Sequence, residues 1–267
     1  VQNWLGRQSK SNSTGLNPAS NGSTDPDKRT PEYLGTMLEQ DFVTGSGSKT
    51  TLGGISIALG MNAVDYYQKE QYGATYQTKI SADQQETQGK KIAQEVVTRL
   101  RAKEGVGDVP IFVALYSLAE KDSLVSGSFF AKATATGKTL DKWDKVNQQS
   151  GVLPTVNNAK AINSNDATAF SNFQTQVQNF FPNLAGVTAT VHYTDGSLTQ
   201  MTVNIQTQFY SQTEIMSFTN YVASVANKLL PSNAPIQIIV ASVNTTQAII
   251  SRSASDKEFS INILQNY

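Results

Sequence analysis

Residues 109–116, VPIFVALY, are apolar on both faces of any strand they form. Such a strand belongs in the middle of a sheet, because neither face can be left to water. The pattern returns later in the chain. APIQIIVASV (234–243) mirrors VPIFVALYSL (109–118), with the Pro-Ile step at the same place. Each copy follows a helix with a marked beginning. Ser81 and Gln84 form a capping-box pair before a long periodic stretch (83–105). There Ile92, Val96, Val97 and Leu100 line one face, and Gly105 supplies the stop. Ser211 and Glu214 form a second box. Behind it Ile215, Phe218, Val222, Val225 and Leu229 recur at spacings of three and four.

The other elements fit around these. PEYLGTMLEQDF (31–42) reads as a helix, with Thr30 as N-cap and Pro31 at its first position. ISIALGM (55–61), ATYQTKIS (74–81) and SGSFFAKATA (126–135) read as strands. In the second half DATAFSNFQTQVQNFF (166–181) gathers Phe170, Phe173, Val177 and Phe180 on one helical face. GVTATVHY (186–193) and LTQMTVNIQTQF (198–209) flank an Asp195-Gly196 turn, a strong hairpin signal. TQAIISR (246–252) and KEFSINILQ (257–265) complete the set. The expected fold is α+β: mainly antiparallel sheets with packed helices, in two similar helix-strand-strand-helix-strand-strand halves. The expected boundaries are an anchor segment and polar loop at 1–31, an N-terminal half at 32–145, a bridge at 146–165 and a C-terminal half at 166–267. Residues 8–31 are almost wholly polar, Gly or Pro, cannot fold alone and read as an exposed loop or linker.

Composition narrows the chemistry. The 267 residues carry no formal net charge, and only 16% are charged. No basic footprint for nucleic acid results. There are no cysteines, which excludes disulfides, thiolate metal sites and cysteine nucleophiles. No apolar run reaches the ~18 residues of a membrane span. The chain starts abruptly at Val1, as a trimmed chain would, so a missing targeting segment carries no weight.

VTGSGSKTTLGG (43–54) looks like a phosphate-binding loop but fails as one. Ser48 stands where the glycine before the lysine is needed, and a strand follows where a helix must. It reads as a connection from the expected helix at 31–42 into the first core strand. His192 is the sole histidine and falls on the polar phase of its strand, with no G-x-S-x-G serine to serve it. Zinc and EF-hand patterns are missing; Asp25 and Asp27 lack further ligands. Tyr66, Tyr67, Tyr72 and Tyr76 could stack on sugars or peptides, or simply pave a strand. No metal or cofactor is expected.

Several segments, in order along nearly the whole chain, resemble the CamS family of sex-pheromone lipoproteins of Gram-positive bacteria. They are NWLGR (3–7), GLNPA (15–19), EYLGTMLEQDF, GISIALGMN, GKKIAQEVVTRLR (89–101), VPIFVALY, FFPNLAGV (180–187), FYSQTEIMSFTNYV (209–222) and AIISR (248–252). The resemblance implies a lipid anchor on the outer face of the cell membrane and a pheromone peptide cut from a signal peptide outside these residues. It brings no catalytic residues. The expected role is a monomeric, non-catalytic binding module for a peptide, a glycan or an envelope protein. Trp4, Arg7, Glu39, Asp41 and Asn62 are the candidate binding residues. The alternative is a cell-envelope hydrolase using Glu39 and Asp41, which requires the two carboxylates to converge in one cleft beside a third polar group.

Overall fold

The computed structural model describes residues 2–156, 159–180, 186–208, 211–242 and 245–264. The chain divides into two compact units, Val1–Val146 and Asn147–Tyr267, each with its own hydrophobic core. The first unit contains α1 (Gln2–Leu5), β1 (Leu34–Thr44), β2 (Thr51–Asn62), β3 (Val64–Gln68), β4 (Thr75–Lys79), α2 (Ala82–Arg101), β5 (Ile111–Leu118), β6 (Ser128–Ala135) and β7 (Trp143–Lys145). Its main sheet has the order β1-β2-β5-β6-β7, antiparallel except for the parallel pair β2–β5. β3 and β4 form a separate hairpin. The second unit contains β8 (Gln148–Leu153), α3 (Ser164–Phe180), β9 (Gly186–Thr194), β10 (Ser197–Thr207), α4 (Gln212–Leu229), β11 (Ile236–Ser242), β12 (Thr245–Arg252) and β13 (Ser260–Ile263). Its sheet runs β13-β12-β11-β10-β9-β8, again with one parallel pair, β10–β11. The fold is thus α+β, with mostly antiparallel sheets.

The two units share a topology. A hairpin (β1–β2 or β9–β10) leads through a capped helix (α2 or α4) to a strand parallel to the hairpin's second strand (β5 or β11). Two further antiparallel strands follow (β6 and β7, or β12 and β13). The Pro-Ile steps occupy equivalent places. Ile55 N donates to Pro110 O at 3.0 Å, and Met201 N donates to Pro235 O at 3.1 Å. Each proline precedes the first strand residue, where its missing N–H costs the ladder nothing. The first unit inserts the β3–β4 hairpin, and the second adds β8 and α3 at its start.

Both expected capping boxes are formed. Ser81 Oγ accepts from Gln84 N at 3.2 Å, and Ser211 Oγ accepts from Glu214 N at 3.2 Å. α2 buries Ile92, Val96, Val97 and Leu100 against Ile57, Leu59, Val113 and Leu115. At Gly89 the helix comes so near β5 that a Cβ would sit 3.0 Å from Leu115 Cδ1. In the second unit Phe170, Phe173, Val177, Phe218 and Val222 fill the core under α3 and α4. Tyr193 reaches from that core to donate its OH to Asp166 Oδ2 in the first turn of α3, at 2.9 Å. Its burial and then the carboxylate both push the phenol well above the usual tyrosine range. Arg252, 3% exposed, donates Nη2 to Pro231 O just beyond α4 and lies 4.5 Å over the Phe259 ring. A cation is favoured there by the carbonyl end of the helix, while burial lowers its pKa.

Residues 31–42 depart from the sequence expectation. From Leu34 they form β1, not a helix, in register with β2 along their length. Thr30 and Pro31 offer a helix start, but pairing with β2 decides the backbone. A bulge between Leu34 and Thr36 turns the strand so that Leu34 enters the core. There a Cβ on Gly35 would meet Asn62 Oδ1 at 2.4 Å. The loop after β1 is therefore a hairpin connection, not a helix-to-strand one. Gly45 makes its turn at φ +93°, where a Cβ would collide with Lys49 O at 2.3 Å. β3 and β7 were not foreseen, and β8 lies in the stretch read as a bridge. Residues 181–185 of FFPNLAGV lie outside the described residues.

Replacing Ser81 or Ser211 by Ala is expected to cost about 1 kcal/mol each, read as a lower urea midpoint. Ser81→Gly should cost only a few tenths. Equal losses for Ala and Gly would show that the side-chain cap is not the source.

Candidate functional site

The segment after α1 is held by two polar side chains, the buried Asn17 and the half-buried Arg7. Asn17 is fully buried. Its Nδ2 donates to Leu5 O (2.8 Å) and Leu34 O (2.9 Å), and its Oδ1 accepts from Leu34 N (2.8 Å). Arg7 gathers the rest. Its Nη1 donates to Pro18 O (3.1 Å), its Nη2 donates to Thr30 O (2.8 Å), and its Nε pairs with Glu32 Oε1 (3.0 Å). Asp65 Oδ2, almost buried on β3, lies 3.8 Å from Arg7 Nη2. It also pairs with Arg29 and accepts from Glu32 N at 2.8 Å. Gly15 is required where this segment folds on itself, since a Cβ there would lie 2.5 Å from Arg7 C. Residues 8–31 thus form a fixed coat on the first unit, not a linker. Hydrogen bonds to buried groups supply what their apolar area cannot.

The coat borders two clefts. One, of about 580 Å³, is lined by Gly6, Glu32, Asn62, Asp65, Tyr66 and Lys121. Asn62 Nδ2 donates to Glu32 O at 2.8 Å, and Lys121 Nζ sits 4.4 Å over the Tyr66 ring. The other, of about 550 Å³, separates the coat from α2, with Gln8 and Leu16 on one side and Gln88, Lys91 and Arg99 on the other. Arg99 pairs with Glu95 at 2.8 Å, donates to Thr14 O at 2.6 Å and stacks 5.0 Å from the Trp4 ring.

Of the five expected binding residues, Arg7 and Asn62 meet through Glu32 at the first cleft. Trp4 packs, half-buried, on the first unit's core, and Arg99 covers its ring. Glu39 and Asp41 stand apart on β1. They share one face there, opposite Ile57 and Ile55, and both are exposed. They do not converge in a cleft with a third polar group, so the arrangement a hydrolase needs is not formed at this pair. β1 is the edge of its sheet. Charges on the core-side face of an edge strand oppose the docking of a foreign strand, which is the role the geometry gives these two. Of the two readings for the tyrosines, paving a strand is the one that fits: Tyr66 and Tyr67 lie on β3 and Tyr76 on β4, with the Tyr67 and Tyr76 rings paired across the hairpin. Arg29 lies 3.8 Å over Tyr67, and Lys69 lies 4.2 Å over Tyr76, so cations already occupy those faces. His192 pairs with Ser150 Oγ at 2.9 Å on the outward face of β9. Among the described residues no group of three His, Asp or Glu side chains could hold a metal ion, and no helix is long and apolar enough to cross a membrane. Sequence reasoning missed Asn17, Glu32, Asp65 and Arg99. Nothing in their spacing marks them, because their partners lie up to 85 positions away.

Fold and site define a two-unit α+β protein of duplicated topology, with a polar coat and two clefts on its first unit. The chain matches the family model described as CamS sex pheromone cAM373 precursor over residues 1–258. It therefore belongs to that family. A sex pheromone precursor from Lactobacillus salivarius subsp. salivarius UCC118 has a similar structure at TM-score 0.94 and 42% identity; the match covers all of this chain and 78% of that one. The C-terminal domain of the sex pheromone staph-cAM373 precursor from Staphylococcus aureus matches at TM-score 0.82 and 28% identity, covering all of this chain and 86% of that one. No curated protein sequence matches.

Two outcomes are expected from variants of these groups. Arg7→Ala should weaken the coat by about 1–3 kcal/mol and speed trypsin cleavage at Lys10, Lys28 and Arg29, followed by mass spectrometry. An unchanged cleavage pattern would show that Arg7 does not hold the segment. Converting Glu39 and Asp41 together to Thr should leave unfolding unchanged but drive concentration-dependent association on size-exclusion chromatography with light scattering. A variant that stays monomeric would remove the guarding role.

Proposed function

We propose that this chain is the mature outward-facing part of a lipoprotein, held by lipid on the outer face of the cell membrane, where it acts as a non-catalytic binding module. The pheromone peptide would come from a leader ahead of this part and not from any residue described above. Family membership supports the setting. The module reading rests on one observation: the carboxylates that border the clefts are already engaged. Arg7 holds Glu32, Arg29 holds Asp65, and Arg99 holds Glu95. A general acid–base pair needs two carboxyl groups free to face the same bound ligand. Here arginine occupies those positions. A cleft lined by polar groups that are already paired suits holding a ligand without altering it.

Two measurements test this. Protease added to intact cells should remove the full-length protein, and replacing its lipid-bearing cysteine by serine should release it into the medium. Protection from the protease would overturn the location. Purified chain incubated with peptidoglycan should yield no new soluble fragments over hours. A time-dependent, enzyme-proportional release of fragments would overturn the non-catalytic reading.

A further inference from the structure

The cleft between the coat and α2 carries a cation that the protein leaves unused. α2 carries four basic side chains, and Arg101 donates to the main-chain oxygens of Gly137, Gly107 and Ala135. Lys90 pairs with Glu86 at 2.6 Å, and Arg99 pairs with Glu95 at 2.8 Å. Lys91 faces the cleft and forms no ion pair with any described residue. Glu95, the carboxylate on the same wall, is turned to Arg99. The cleft therefore presents a net positive charge although the chain as a whole has none.

The rest of the lining has a definite chemistry. Gln8 on the coat and Gln88 on α2 stand on opposite walls, and among the described residues neither side chain has a hydrogen-bond partner. A primary amide offers both a donor and an acceptor, as a peptide group does. Leu16 and Pro18 supply apolar surface between them, over the buried Ile92. Among the described residues no aromatic ring lines the cleft, and the nearby Trp4 ring is covered by Arg99. A sugar thus finds no stacking platform there. A single ammonium group with two amides fits a carboxylate and its adjoining peptide bonds. The volume of about 550 Å³ is in the range of small-ligand sites.

We propose that this cleft binds the free carboxylate end of a short peptide. Lys91 takes the carboxylate, Gln8 and Gln88 pair with the backbone amides, and the Leu16–Pro18 surface receives an apolar last side chain. The proposal rests on the binding-module reading and names its ligand class. It gives the coat a purpose beyond covering α2, since the Arg7 and Asn17 anchors, with main-chain bonds such as Leu16 N to Trp4 O, bring Gln8 and Leu16 to the cleft.

The test is titration of the full chain with the tripeptide Gly-Gly-Leu, followed by amide chemical shifts and, in parallel, by mass spectrometry of the peptide. Saturable shifts confined to residues around Gln8, Gln88 and Lys91 are expected. The C-terminal amide form of the peptide should bind at least ten-fold more weakly. Lys91→Ala should lose at least ten-fold and Lys91→Arg should recover most of it, with thermal unfolding unchanged for both. Equal binding of acid and amide, insensitivity to Lys91→Ala, or no shifts at the cleft would overturn the proposal. Shifts at the cleft from an N-acetylglucosamine trimer but not from the tripeptide would overturn it in favour of a glycan. Cleavage of the tripeptide would instead overturn the module reading, so the two failures are separable.

Discussion

The pairing of β2 with β5 is parallel, and so is that of β10 with β11. Parallel neighbours cannot be joined by a tight turn, so each pair demands a crossover, and a helix is what provides it. That one constraint organises both units. It places α2 over β2 and β5 and makes those strands the most buried of the sheet: Ile57, Leu59, Met61, Ile111, Val113 and Leu115 are all at or near zero exposure. The same logic puts Val203, Ile205, Ile238 and Val240 beneath the helices of the second unit. The remaining strands pair antiparallel around the parallel seam, and the hairpin strand β1 is left at the edge.

The first unit then solves a problem the second does not share. Its N-terminal 30 residues have little apolar surface, yet they lie against the body in a defined path. Electrostatic and hydrogen-bonding groups do this by being buried where water cannot compete. Asn17 uses both ends of its amide on main-chain atoms of Leu5 and Leu34, which ties the coat to the first residue of β1. Arg7 bonds the main chain at Pro18 and Thr30, two points twelve residues apart, and so closes the segment into a loop. Tyr67 and Thr78 add further bonds to Thr24 O and Pro26 O from the β3–β4 hairpin. That hairpin is the first unit's insertion into the shared topology. It is also what seats the coat, so the two departures from the duplicated plan belong together.

Features encoded locally were legible in the sequence. The capping serines, the apolar faces of α2, α3 and α4, the Asp195-Gly196 turn and the two Pro-Ile strands each depend on residues a few positions apart. β1 was not legible. Its exposure on nearly every residue gives it no alternating signature, and a bulge puts Leu34 in the core while Leu38 stays 68% exposed. The site was legible only in part. The family resemblance drew Arg7 and Asn62 out of the chain, and they do meet, but through Glu32. Asp65, which completes the cluster, has its partners 33 and 36 residues away, a separation that no motif spacing records.

The re-reading of Glu39 and Asp41 follows from the same geometry. In a helix, two residues two positions apart face different ways; in a strand they face the same way. Once residues 34–44 are a strand, the pair must share a face, and cross-strand registry assigns them the face of Ile57 and Ile55. α2 packs on β2 and β5, and Glu39 and Asp41 are exposed, so they are charged positions on the core side of an edge strand. The opposite face of that strand carries Leu38 and Phe42, both more than half exposed. A long edge strand with exposed apolar side chains is a template for association unless something opposes it. Two carboxylates placed on its core side oppose it at low cost, because they remain in water in the monomer and would lose that water only against an incoming strand.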